Sequence, residues 1–107
     1  MTDFTKRERQ VLRELAGHVY EAEVALLLED LATSFTQWRS GEILPSELLQ
    51  LIHEFHRDQS RELWSMYQGL REYDIVARGL ARGLSLETKV PSSIQEKLKA
   101  LVDGYRL

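Results

Sequence analysis

Five residues in the middle of the chain carry the side chains best suited to chemistry: His53, His56, Ser60, Trp64 and Tyr67. Spacings of three and four align them along one flank of a helix. Two imidazoles at i and i+3 can share a divalent cation, and a nearby hydroxyl or phenol can be polarised by either. Yet His53-Glu54-Phe55-His56 is one residue short of the His-Glu-x-x-His zinc motif, and neither histidine belongs to a Glu-x-x-His pair of the di-iron kind. The competing reading makes these side chains the lining of a helix boundary or subunit seam, each with an apolar body and a polar tip. With no third ligand at a defined spacing, no catalytic residue, metal ligand or cofactor is assigned.

Arginine offers a second chemistry. Arg78 and Arg82 are four apart on a predicted helix, and Arg71 lies just before it. Guanidinium forks suit carboxylate or phosphate, so the three form a candidate anion-binding set. The net charge is −4 over residues 1–53 and +1 over residues 54–107, and neither half is basic enough to indicate nucleic acid. Glu21, Glu23, Glu29 and Asp30 make the middle of the first helix acidic, which reads as a solvated face. Phosphate loops, nucleophile elbows and dinucleotide fingerprints are absent from the sequence.

The elements that must position these groups are helices. Eighteen Leu against ten Ile plus Val, with two Pro and six Gly, disfavour strands. The predicted fold is all-α: residues 1–107 as a single domain, a small bundle of four to five helices, the first long or broken near Gly17. That helix opens on the capping-box spacing Thr5-Lys6-Arg7-Glu8 and stops at Ser40-Gly41. It carries two apolar stripes, Leu12, Leu15, Val19, Ala22 and Leu26, then Val24, Leu28, Leu31, Phe35 and Trp38, roughly 160° apart. A turn apolar all round, from Val24 to Leu28, joins them.

Pro45 suits the first turn of a second helix, with a stripe of Leu48, Leu51, Ile52, Phe55, Leu63, Met66 and Leu70. His56 to Glu62 interrupts it without an apolar residue, either as a solvated stretch of one helix or as a short break with Asp58 or Ser60 capping the next piece. A third helix, Glu72 to Leu84, buries Tyr73, Val76, Ala77, Leu80 and Leu84; Gly79 and Gly83 point to a close backbone approach or a frayed end. Leu86 and Val90 are expected to tuck under the bundle. A capping box from Ser93 to Glu96 starts the last helix, Ile94, Leu98, Leu101 and Tyr105 share its inner side, and Gly104 ends it.

With no Cys, there is no disulfide framework or thiolate site. The polar N-terminus and the lack of a long apolar run predict a soluble, cytoplasmic chain with no membrane span. The expected function is a non-enzymatic helical protein–protein interaction module, homodimeric through Val24, Leu28, Leu31, Phe35 and Trp38, with an unidentified protein partner as a further possibility. Two alternatives stand beside it: a small-ligand or metal-assisted enzyme using the His53/His56 flank, and a regulator that binds an acidic partner through arginine.

Overall fold

The computed structural model describes residues 3–84 and 89–107, and among these it is all-α. Helix α1 spans Lys6–Arg39, α2 Pro45–Glu54, α3 Ser60–Gly69, α4 Glu72–Ala81 and α5 Ser92–Arg106. A π-helical turn, Phe55–Gln59, joins α2 to α3 without interruption. The predicted single bundle divides into two compact units: Met1–Ala22 with Leu70–Leu107, and Glu23–Gly69. Helix α1 supplies residues to both.

Helix α1 begins as its sequence dictates. The Thr5 N–H donates to Glu8 Oε1 at 2.9 Å, and the Glu8 N–H donates to Thr5 Oγ1 at 3.1 Å. The helix is unbroken at Gly17, which is exposed and has open space where a Cβ would stand. One glycine costs about 1 kcal/mol in a helix interior, less than the packing on either side of it returns. At the far end Gly41 takes φ +83°. Its N–H bonds to the Trp38 carbonyl and that of Glu42 to the Gln37 carbonyl, a Schellman stop.

In the first unit, Leu12, Leu15, Ala16 and Val19 of α1 are buried, as are Ile75, Val76, Ala77 and Leu80 of α4 and Ile94, Leu98 and Val102 of α5. Val90 is buried as expected; Leu86 lies outside the described residues. The two glycines of α4 have separate reasons. A Cβ on Gly79 would stand 2.9 Å from both methyls of Val19, so Gly79 permits the close approach of α4 to α1. Gly83, at φ +75°, closes a second Schellman stop, with Gly83 N–H bonding to the Leu80 carbonyl and Leu84 N–H to that of Gly79.

Helix α5 departs from its prediction at both ends. It starts at Ser92 with Pro91 as N-cap and no side-chain cap; the Ser93 hydroxyl bonds to Glu8 instead. It runs through Gly104 to Arg106, and Val102 rather than Tyr105 completes the buried face. Ile94, Leu98 and Val102 are each four apart, so the buried face drifts about 40° per step and turns away from the predicted path to Leu101 and Tyr105.

The second unit is a helical hairpin, in which the later part of α1 returns through Ser40–Leu44 as α2, the π turn and α3. Leu44 N–H donates to Glu47 Oε1 at 2.9 Å, so Glu47 caps α2 backwards beside Pro45. The apolar pattern accounts for the π turn. In a straight α-helix Phe55 and Leu63 would lie about 80° apart, and one inserted residue removes about 100°, bringing them within about 20°. The gap from His56 to Glu62 is thus no break capped by Asp58 or Ser60, but a largely exposed stretch of one continuous helix that absorbs the mismatch. Ser60 N–H bonds to the Phe55 carbonyl across it.

Candidate functional site

The second unit is poorly closed by its own chain. It leaves Leu26, Leu28, Trp38, Leu44, Leu49, Leu51 and Trp64 exposed, whereas among the described residues of the first unit the exposed large apolar ones are Tyr105 and Leu107. The location of these residues follows from helical rotation. Taking Leu31 as the seam of α1, Leu28 lies about 60° to one side and Ala25 and Ala32 about 100–120°, while Asp30 and Ser34 lie about 60–100° to the other. On α2, with Leu48 at the seam, Leu49, His53 and His56 lie about 80–140° in the first sense, and Leu51 and Glu54 in the second.

In antiparallel neighbours, residues rotated in the same sense from the seam emerge on the same side of the pair. The second side is confirmed directly: Asp30, Leu31 and Ser34 of α1 line a groove of about 330 Å³ with Leu51, Glu54, Phe55, Asp58 and Gln59. Asp58 is gripped by Arg57 at 2.8 Å, and that hydrogen bond holds its carboxyl below the usual range. The opposite side carries Leu28 (50% exposed) and Leu49 (68%), with exposed Ala25, Ala32, His53 and His56 among them, and Trp64 (56%) joins it, about 60° from Leu48 in the same sense once the extra residue of the π turn is discounted. The hairpin therefore has an acidic groove on one face and an apolar, histidine-bearing surface on the other.

This placement revises several sequence expectations. Val24, Leu31 and Phe35 of the candidate dimer stripe are half-buried at the hairpin seam; Leu28 lies to its side and Trp38 beside the turn that joins α1 to α2. The turn from Val24 to Leu28 is not buried all round, for Ala25, Leu26 and Leu28 are exposed. Leu26, predicted to continue the first core stripe, is 51% exposed because that core closes at Val19. Glu23 leaves the solvated acidic face and is 4% exposed. It continues the line of Leu12, Ala16 and Val19, a rotation readable from the sequence and overridden there by its charge.

The histidine flank divides. The extra residue of the π turn swings Ser60 and Tyr67 toward the core, half-buried and buried, while His53, His56 and Trp64 stay outside. Among the described residues no three His, Asp or Glu side chains come together to hold a metal ion. The arginines divide as well. Arg71 is the N-cap of α4 and Arg82 its C-cap, about 16 Å apart along the axis, so Arg71, Arg78 and Arg82 do not converge on one anion. Arg71 instead shares a cleft with Arg9 and Arg13, which the sequence did not single out. Their i, i+4 spacing was the available signal. No described helix is long and apolar enough to cross a membrane. The chain matches no family model, no curated protein and no solved structure.

Proposed function

We propose that this chain is a non-enzymatic helical interaction module that works as a homodimer, joined through the apolar face of its second unit. The observation that carries the reading is the placement of exposed Leu28, Leu49 and Trp64 on one side of a hairpin whose other side is acidic. At roughly 180–250 Å² for a large side chain, these three expose on the order of 350 Å². That equals the largest apolar patch of a typical monomer, about 300–600 Å², a size that is often functional. Doubled by a two-fold axis and widened by Ala25, Ala32, His53 and His56, it reaches about 1,000 Å², the lower bound of a specific interface.

A second copy suits this face because an isologous contact needs only self-complementarity, and an apolar centre meets itself without leaving a charge unpaired. The histidines then belong to a subunit seam, where an amphipathic ring serves better than a charge. The cysteine-free chain suits a reducing compartment, and we place it in the cytoplasm as part of the same proposal. Sedimentation velocity at micromolar concentration tests the reading, with Leu49→Asp as the variant that breaks the contact while leaving the hairpin helical.

A further inference from the structure

The first unit holds a cleft of about 360 Å³ between the start of α1 and the start of α4, lined by Arg9, Arg13 and Arg71. This volume falls in the range of small-molecule sites. Arg9 and Arg13 stand one turn apart on α1. The Arg9 guanidinium is fixed in place, its Nη1 donating to the Phe4 carbonyl at 2.7 Å, which leaves other donors on the same fork. Phe4 and Tyr73 stack at the wall, ring centroids 5.8 Å apart and planes at 26°. Buried Leu12 adds apolar lining.

Arg13 and Arg71 make no ion pair with a described residue, although Asp3 and Glu72 line the same cleft. Three guanidiniums against two carboxylates leave one positive charge, which matches a small anion and discourages a long polyanion. Planar donors opposite a ring pair describe a ligand with a charged head and a flat apolar body.

We propose that this cleft binds a small organic anion carrying a ring, its carboxylate or phosphate held by Arg13 and Arg71 and its ring laid against Phe4 and Tyr73. The cleft lies wholly within the first unit, so the proposal does not depend on dimerisation. The test is an NMR titration of the full chain with benzoate and with phenyl phosphate, following the Phe4 and Tyr73 ring signals. Saturable shifts with a Kd of about 1 mM or tighter are expected for at least one, and binding about tenfold weaker for benzyl alcohol and for inorganic phosphate. Preference for benzoate identifies a carboxylate ligand and preference for phenyl phosphate a phosphate, and either supports the site. Arg13→Gln and Arg71→Gln, both at exposed positions, should each weaken binding about tenfold, while Arg106→Gln leaves it unchanged. The site is overturned by the absence of saturation with either ring-bearing anion, by inorganic phosphate binding equally well, or by affinity indifferent to Arg13→Gln and Arg71→Gln.

Discussion

Two glycines show how one residue type serves opposite purposes. Gly79 lies 2.9 Å, by its missing Cβ, from a fully buried Val19 whose branched side chain has little rotamer freedom in a helix. Gly79→Ala should destabilise the protein, since overpacking of about 1–3 kcal/mol outweighs a helix gain of about 1 kcal/mol. Adding Val19→Ala should recover part of that loss in a double-mutant cycle followed by urea denaturation. A Gly79→Ala protein at least as stable as the parent would contradict the close approach. Gly17→Ala, in open space, should instead raise stability by about 0.5–1 kcal/mol. At the other end of the charge scale, Glu8 accepts from Lys97 at 2.6 Å, from the Thr5 N–H and from Ser93, which hold its pKa down at about 2 from 4.5. A carboxylate depressed in the folded state stabilises above its unfolded pKa. That contribution is therefore complete above about pH 4.5 and fades as pH falls through about 2. Melting curves of the parent and Glu8→Gln should differ at pH 7 and converge toward pH 2; a gap that stays constant over that range would refute the assignment.

At the scale of elements, the legible features were those set by local chemistry: the Thr5–Glu8 box, the glycine stop at Gly41, and Pro45 opening α2, whereas Gly83, read inside a helix running to Leu84, ends that helix at Ala81. Each rests on bonds between residues a few positions apart, which sequence spacing displays. What spacing could not display was the π turn, because a uniform 100° step shows the His56–Glu62 gap as a solvated stretch, which it largely is, without showing the change of step within it. The same uniform step grouped His53 with Tyr67 and extended the first core stripe to Leu26 beyond the reach of its partners, while Arg71 was joined to Arg78 and Arg82 by nearness in sequence and is separated from Arg82 by the rise of α4. Deleting Asp58 tests the π turn. With the extra residue gone, seven steps separate Phe55 from Leu63, and a plain α-helix keeps them within about 20°, so Leu63, Tyr67 and Leu70 should stay on the α1 seam. Hydrogen exchange in α3 and in residues 24–38 of α1 should therefore be as slow as in the parent or slower. Quickened exchange there would show that the π turn does not act as a one-residue register correction.

The whole molecule pairs a unit with a closed apolar core and a hairpin that leaves seven large apolar side chains exposed. A core truncation in the first unit, such as Leu98→Ala at a fully buried position, should cost about 2–5 kcal/mol by denaturant titration. Leu49→Asp should change the stability of the isolated chain by about 0.5 kcal/mol or less, because Leu49 is already 68% exposed there. Under the proposed dimer its effect belongs to assembly. The most direct measurement is therefore sedimentation velocity of the parent, Leu28→Asp and Leu49→Asp proteins across micromolar concentrations, with circular dichroism on the same samples. The expected result is a parent of about twice 12.4 kDa and variants that sediment as single 12.4 kDa chains with unchanged helicity. A parent that remains at 12.4 kDa throughout, or variants that dimerise as the parent does, would contradict an interface on the apolar face of the second unit.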